Sequence, residues 1–222
     1  MSSSAHPAWT TADLRRLLSP GRFDQYVVAA GSQPKAAELY VWNTRAAGAL
    51  HEDLGAFEVI LRNALDRQLT RYHQIVLSGD GRWYADPRMP WKSKKLADQI
   101  DRARAQATRN GRTPEIHGKV IAEATFGVWR YMLAANYQAT LWAPALRRAF
   151  PHLRSQKREM IYTPVDRLNA LRNRIAHHEP VHHQNLEARH KELLRVAGWI
   201  DPAAAAWIAE TSRVKQVLVG RP

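Results

Sequence analysis

The chain contains no cysteine. That excludes disulfides, thiolate metal sites and a cysteine nucleophile. No apolar run approaches the length needed to cross a bilayer. Nothing at the N-terminus pairs a basic flank with an apolar run, so no secretory signal is expected and the protein is expected to be soluble and cytoplasmic. Strand-like alternation and internal repeats are missing throughout. There is no glycine-rich phosphate loop and no serine elbow. Acidic residues are the scarce charge, 20 Asp+Glu against 33 Lys+Arg, for a formal net charge of +13. Such an excess favours polyanionic partners, nucleic acid before an anionic membrane surface, although a merely solvated basic surface is the bland alternative.

What the chain does have is helical periodicity, and the expected class is all-α. Its 222 residues suit one domain over 1–222, with residues 1–9 expected to fray. Thr10 or Thr11 can cap a short helix that stops at Ser19-Pro20-Gly21, and Phe23 to Ala30 reads as a second, ended by Gly31. Ser32, with Pro34 in the first turn, opens a long pattern from Ala36 to about His73, as one helix or two meeting near Gly55. Residues 78–90 read as a loop whose Trp83 and Tyr84, with Trp91 just beyond, lie among Arg82, Arg88 and Lys92. These aromatics either stack bases or anchor the loop on the core. Lys92 to Asn110 reads as a polar helix with a wide basic face. Val120 to about Ala135 is the most apolar segment and is expected to be central, followed by a shorter segment from Leu141 to Phe150. Leu186 to Val196 forms a helix broken by Gly198, and Asp201-Pro202 opens a last one running to about Val219.

The stretch that carries chemistry is Asp166 to Pro180. Leu168, Leu171 and Ile175 give it one apolar face. Pro164, with Thr163 as cap, is the preferred start, a kink in a longer helix being the alternative. Pro180 places the end near His177 and His178. Asn173 and His177 stack one turn apart, and Arg172 lies roughly 100° around from Asn173. One helix end thus offers a permanent cation, an amide and an imidazole that titrates near neutral pH.

Arg172-Asn173-x-x-x-His177 resembles the arginine-to-histidine motif of HEPN domains, and Leu171 to Pro180 is similar to the signature of their Abi-like (abortive infection) branch. Leu18-Ser-Pro, Leu39 to Asn43, Phe57 to Asn63, Thr125 to Trp129 and Gly198-Trp-Ile200 extend the resemblance over most of the chain. Glu58-x-x-x-Arg62 matches an acidic residue followed four later by a basic one, whose charged ends can pair. The resemblance implies a HEPN-type helical bundle with additional peripheral helices. It also implies a metal-independent endoribonuclease acting in phage defence as a toxin, with no cofactor. The site it implies is a composite one between two signature helices of a homodimer, and an antitoxin or regulatory partner is compatible with it.

Three readings compete for the helix end. As a ribonuclease, His177 moves protons, Arg172 stabilises phosphorane charge and Asn173 orients the imidazole or the phosphate, while the RNA 2′-hydroxyl is the nucleophile. Glu58, Arg62 and His178 would support the site, and Lys92, Lys94, Lys95 and Arg174 would contact RNA. As a zinc hydrolase, His178-Glu179-Pro180-Val181-His182 fits H-E-x-x-H, but Pro180 disrupts the continuous helix this motif needs. In a non-catalytic basic helical module, Arg172 and Asn173 make structural hydrogen bonds and the histidines cap carbonyls.

Overall fold

A long helix is the axis of the molecule. The computed structural model describes residues 9–222, and every regular element among them is helical. The expected fraying falls largely on residues 1–8, outside the described ones. Thr10 and Asp13 form a reciprocal capping box that opens α1 (Thr11–Leu18). Pro20, with its φ already suited to a first helical turn, starts α2 (Pro20–Ala30) earlier than Phe23, and Gly31 closes it at φ 77°.

The axis is α3 (Gln33–Val76). Leu39, Trp42, Ala46, Leu50, Leu54, Phe57, Leu61 and Leu65 recur every three or four residues and all are buried. Gly48 and Gly55 fall within the helix, and with that much apolar surface buried along it their weak propensity does not break it. The result is one helix about 66 Å long. It packs against α2 on one side and, further along, against the helices that carry the site.

The loop after α3 is fastened by aromatics. Trp83 and Tyr84 are buried, Trp83 donates from Nε1 to Asp66 Oδ1 at 2.8 Å, and its ring meets Trp91 and Trp129 edge-on at 6.0 Å. These rings anchor the loop to the core, so they are not a base-stacking platform. The polar helix α4 is Lys94–Ala107, buried along Leu96, Ile100, Ala103 and Ala107.

The expected central helix over 120–135 is instead two short ones, α5 (His117–Glu123) and α6 (Phe126–Met132). Ala124 and Thr125 are extended between them, and the Trp129 indole takes the Ala124 carbonyl at 3.1 Å. The segment from Gln138 to Ala149 winds as one π turn and one 3-10 turn around Pro144 rather than as an α-helix.

The signature helix α7 (Glu159–Ala176) starts upstream of the expected cap, with Pro164 inside it. Its first turn is held by tertiary contacts that outweigh the missing proline N–H. Ile161 is buried, and the buried Arg158 guanidinium donates to Leu133 O (2.8 Å) and Gln138 Oε1 (3.1 Å).

Gly198 does not break α8 (Leu186–Ile200). A Cβ there would stand 3.5 Å from that of Ala205, an ordinary contact, so the packing of the next helix does not depend on the glycine. The final helix is two, α9 (Pro202–Thr211), capped by Asp201, and α10 (Val214–Val219). Among the described residues no helix is long and apolar enough to cross a membrane.

Candidate functional site

Ile161, Val165, Leu168, Leu171 and Ile175 bury one side of α7, which packs on α3, α6 and α8. The opposite side carries Asn173 and His177 into solvent, with Arg172 half-buried between the two. The helix ends in a Schellman arrangement: His178 N–H donates to Ile175 O at 3.0 Å and Glu179 N–H to Arg174 O at 2.8 Å. The left-handed position of that motif usually belongs to glycine. Here it is His178, at φ 54°. The Arg22 guanidinium of α2 donates to the His178 carbonyl at 2.7 Å and so ties down the strained turn.

Two further contacts fix the chain after the turn. Arg174 donates to Pro180 O from Nε (3.3 Å) and Nη2 (3.1 Å) and pairs with Glu179 at 3.2 Å. It therefore serves the helix end with part of its guanidinium, while the side chain stays about one-third exposed. The buried Asn43 Oδ1 of α3 accepts from Val181 N–H at 2.8 Å and His182 N–H at 2.9 Å. A cleft of about 820 Å³ opens beside the turn, bordered by Arg22, Tyr26, Asn43, His51 and His178. His177 is not on its wall.

Arg172 points to α3. Its Nε lies 3.6 Å from Glu58 Oε2, a cross-helix pair with both side chains partly covered. The expected Glu58–Arg62 pair on one helix does not form; Arg62 Nε is buried with no hydrogen-bond partner among the described residues. Burial pushes the Glu58 carboxyl above its ordinary range, against the opposing pull of Arg172, Arg62, the Phe126 N–H and His51. Arg172, Glu58 and Arg62 are thus brought together, whereas Lys92, Lys94 and Lys95 stand exposed around the start of α4.

His178 and His182 do not share a helix. His182 is buried beyond Pro180 with its ring 4.9 Å from that of Tyr26, and burial lowers its pKa. Among the described residues no three His, Asp or Glu side chains are grouped to hold a metal ion. Arg22, Asn43 and His51 were not singled out from the sequence. Only Asn43 left a signal, a polar residue in step with the apolar stripe of α3 between Leu39 and Ala46. A scan against models of known families matched none, and neither a curated protein nor a solved structure matches the chain.

Proposed function

We propose that this chain is a metal-independent endoribonuclease of the HEPN type. The RNA 2′-oxygen attacks the adjacent phosphorus, the bond to the 5′-oxygen breaks, and the products are a 2′,3′-cyclic phosphate and a 5′-hydroxyl. His177 takes the proton from the 2′-hydroxyl or returns one to the leaving oxygen. Arg172 stabilises charge on the phosphorane oxygens, and Asn173 orients the phosphate. Two proton transfers and one primary imidazole suit a homodimer in which two α7 ends meet. The carrying observation is the exposed end of α7, where Asn173 and His177 stand beside an Arg172 whose guanidinium is oriented by a carboxylate from another helix. A cytoplasmic phage-defence toxin, held quiet by an antitoxin or regulatory partner, is the setting proposed for this activity.

The test is incubation of purified protein with total cellular RNA in EDTA, beside a His177→Ala control. Cyclic-phosphate ends from the wild type alone support the reading. Cleavage lost in EDTA and restored by zinc or magnesium overturns it in favour of metal catalysis. A second reading, a basic helical binding module for RNA or protein, is favoured by Arg172 pairing with Glu58 and Arg174 donating to Pro180 O, both within the protein. It predicts RNA retention without cleavage.

A further inference from the structure

The cleft of about 820 Å³ beside the α7 turn borders none of Arg172, Asn173 and His177, yet its volume is within the roughly 300–1,000 Å³ of ordinary ligand sites. Its wall runs from Leu17 of α1 and Arg22 of α2, along α3 from Tyr40 to His51, to Ala176 and His178 at the α7 end. Arg22 is the fixed cation. Among the described residues its side chain has no carboxylate partner, and its one bond, Nη1 to the His178 carbonyl, holds it in place. Nε and Nη2 are unpaired and not buried, so they remain open to a ligand. The His51 and His178 rings are exposed and make no hydrogen bond to any described residue. Glu179, the acidic side chain on the wall, is already paired with Arg174 at 3.2 Å. The cleft therefore offers N–H donors without a competing free carboxylate, which is what a phosphate needs.

The remaining wall suits a base. Leu17 is 67% exposed, and Tyr40 is only partly covered. A T-shaped contact with Tyr26, 5.1 Å between centroids, steadies the Tyr40 ring. An aromatic ring in a cleft with an uncompensated cation can take a flat base together with its phosphate. Further along the same wall is Gly48, where a Cβ would meet nothing within 4 Å. The cleft also leads to the α7 end. His51 and Glu58 are seven residues apart, on one face of α3 and about 10 Å along it, and Glu58 reaches Arg172 at 3.6 Å.

We propose that this cleft binds a single-stranded stretch of RNA, with a phosphate on Arg22 and a base on Tyr40. From there the strand passes His51 towards the Glu58–Arg172 pair. Stacking and phosphate contacts are made by every nucleotide, so the cleft holds the strand without demanding one base. The proposal rests on the reading of the chain as an RNA-acting protein, but not on cleavage.

The experiment measures binding of the full chain to a labelled 2′-O-methyl hexaadenylate by fluorescence anisotropy, with adenosine 5′-monophosphate as the unlinked nucleotide. The strand has no free 2′-hydroxyl, so failure of the nuclease reading leaves the result standing. Gly48→Leu fills the cleft without altering charge and should weaken strand binding about tenfold or more, the scale of one lost stacked base. Its melting temperature should not fall, since leucine outranks glycine in a helix. Gly48→Ala also favours the helix but leaves the cleft nearly open, and should bind as wild type does. Tyr40→Leu should lose about tenfold as well. Equal affinity in wild type and Gly48→Leu puts the strand elsewhere and overturns the cleft while RNA binding stands. A loss as large in Gly48→Ala traces the effect to helix stiffness and overturns it too. Gly48-dependent binding of the mononucleotide without the strand gives the cleft to free nucleotides instead. A wild type that binds neither removes the RNA reading and this proposal with it.

Discussion

Glu58 of α3 and Arg172 of α7 face each other with Oε2 and Nε 3.6 Å apart, from positions 114 residues apart in the chain. Burial nevertheless raises the Glu58 pKa despite this cation. A carboxyl with a raised folded-state pKa contributes stability in acid and loses it as pH rises through the folded value. Wild type should therefore lose stability relative to Glu58→Gln as pH climbs from 4.5, the ordinary glutamate value, into the range just above it. Paired thermal melts across that range check this, and a constant difference contradicts a raised carboxyl.

At the end of α7, His177→Ala and Arg172→Ala should each lower the cleavage rate by about two powers of ten or more, the scale of one lost acid–base or charge-stabilising group. Circular dichroism should be unchanged, because neither side chain is buried. His178→Ala, in parallel, locates the proton carrier. A larger loss there than in His177→Ala moves it to the cleft side of the turn, on the wall of the cleft that His51 also lines.

RNA binding should weaken steeply with salt, given the charge of +13. Replacing the exposed Lys92, Lys94 and Lys95 by Ala should weaken binding to all sequences alike and flatten the log–log salt slope by up to about three. Titrations at several salt concentrations read this directly. An unchanged slope would show that this face is only solvated.

His178 occupies a left-handed position at φ 54°, which costs a side chain with a Cβ about 1–2 kcal/mol. His178→Gly should thus raise stability by up to about 1 kcal/mol after glycine's extra unfolded freedom is counted. His178→Ala should bring no such gain. A glycine variant that melts below wild type would mean the imidazole itself holds the turn.

The helical class, α3 and the end of α7 were legible because apolar residues recur there at helical spacing and Pro180 is a local stop signal. Pro164 misled because its preference for a first turn is a local statistic, whereas Arg158 and Ile161 anchor the helix further upstream. The interruption at Ala124 has no glycine or proline to announce it, and only the Trp129 indole marks it. Of the candidate site, Arg172, Asn173 and His177 could be read from one helix. Arg22 and His51 could not, and Asn43 showed only as a polar residue in an apolar stripe, since all three reach the turn from more than a hundred residues away and no local pattern encodes such a meeting. The internal bond of Arg174 has no local signal, because the carbonyl it holds exists only once the chain has turned back at Pro180.

The exposed turn around Gly111, at φ 82°, divides the chain into two halves of similar length. The first carries Arg22, Asn43, His51 and Glu58; the second carries Arg172, His177 and His178. The cleft is therefore a seam. A single cut at Gly111 would leave each lip on a separate polypeptide, and neither half alone could set Arg172 against a carboxylate or tie down the His178 carbonyl. Whatever chemistry the α7 end performs belongs to the joined halves, so two silent fragments produced apart should regain it only on being mixed.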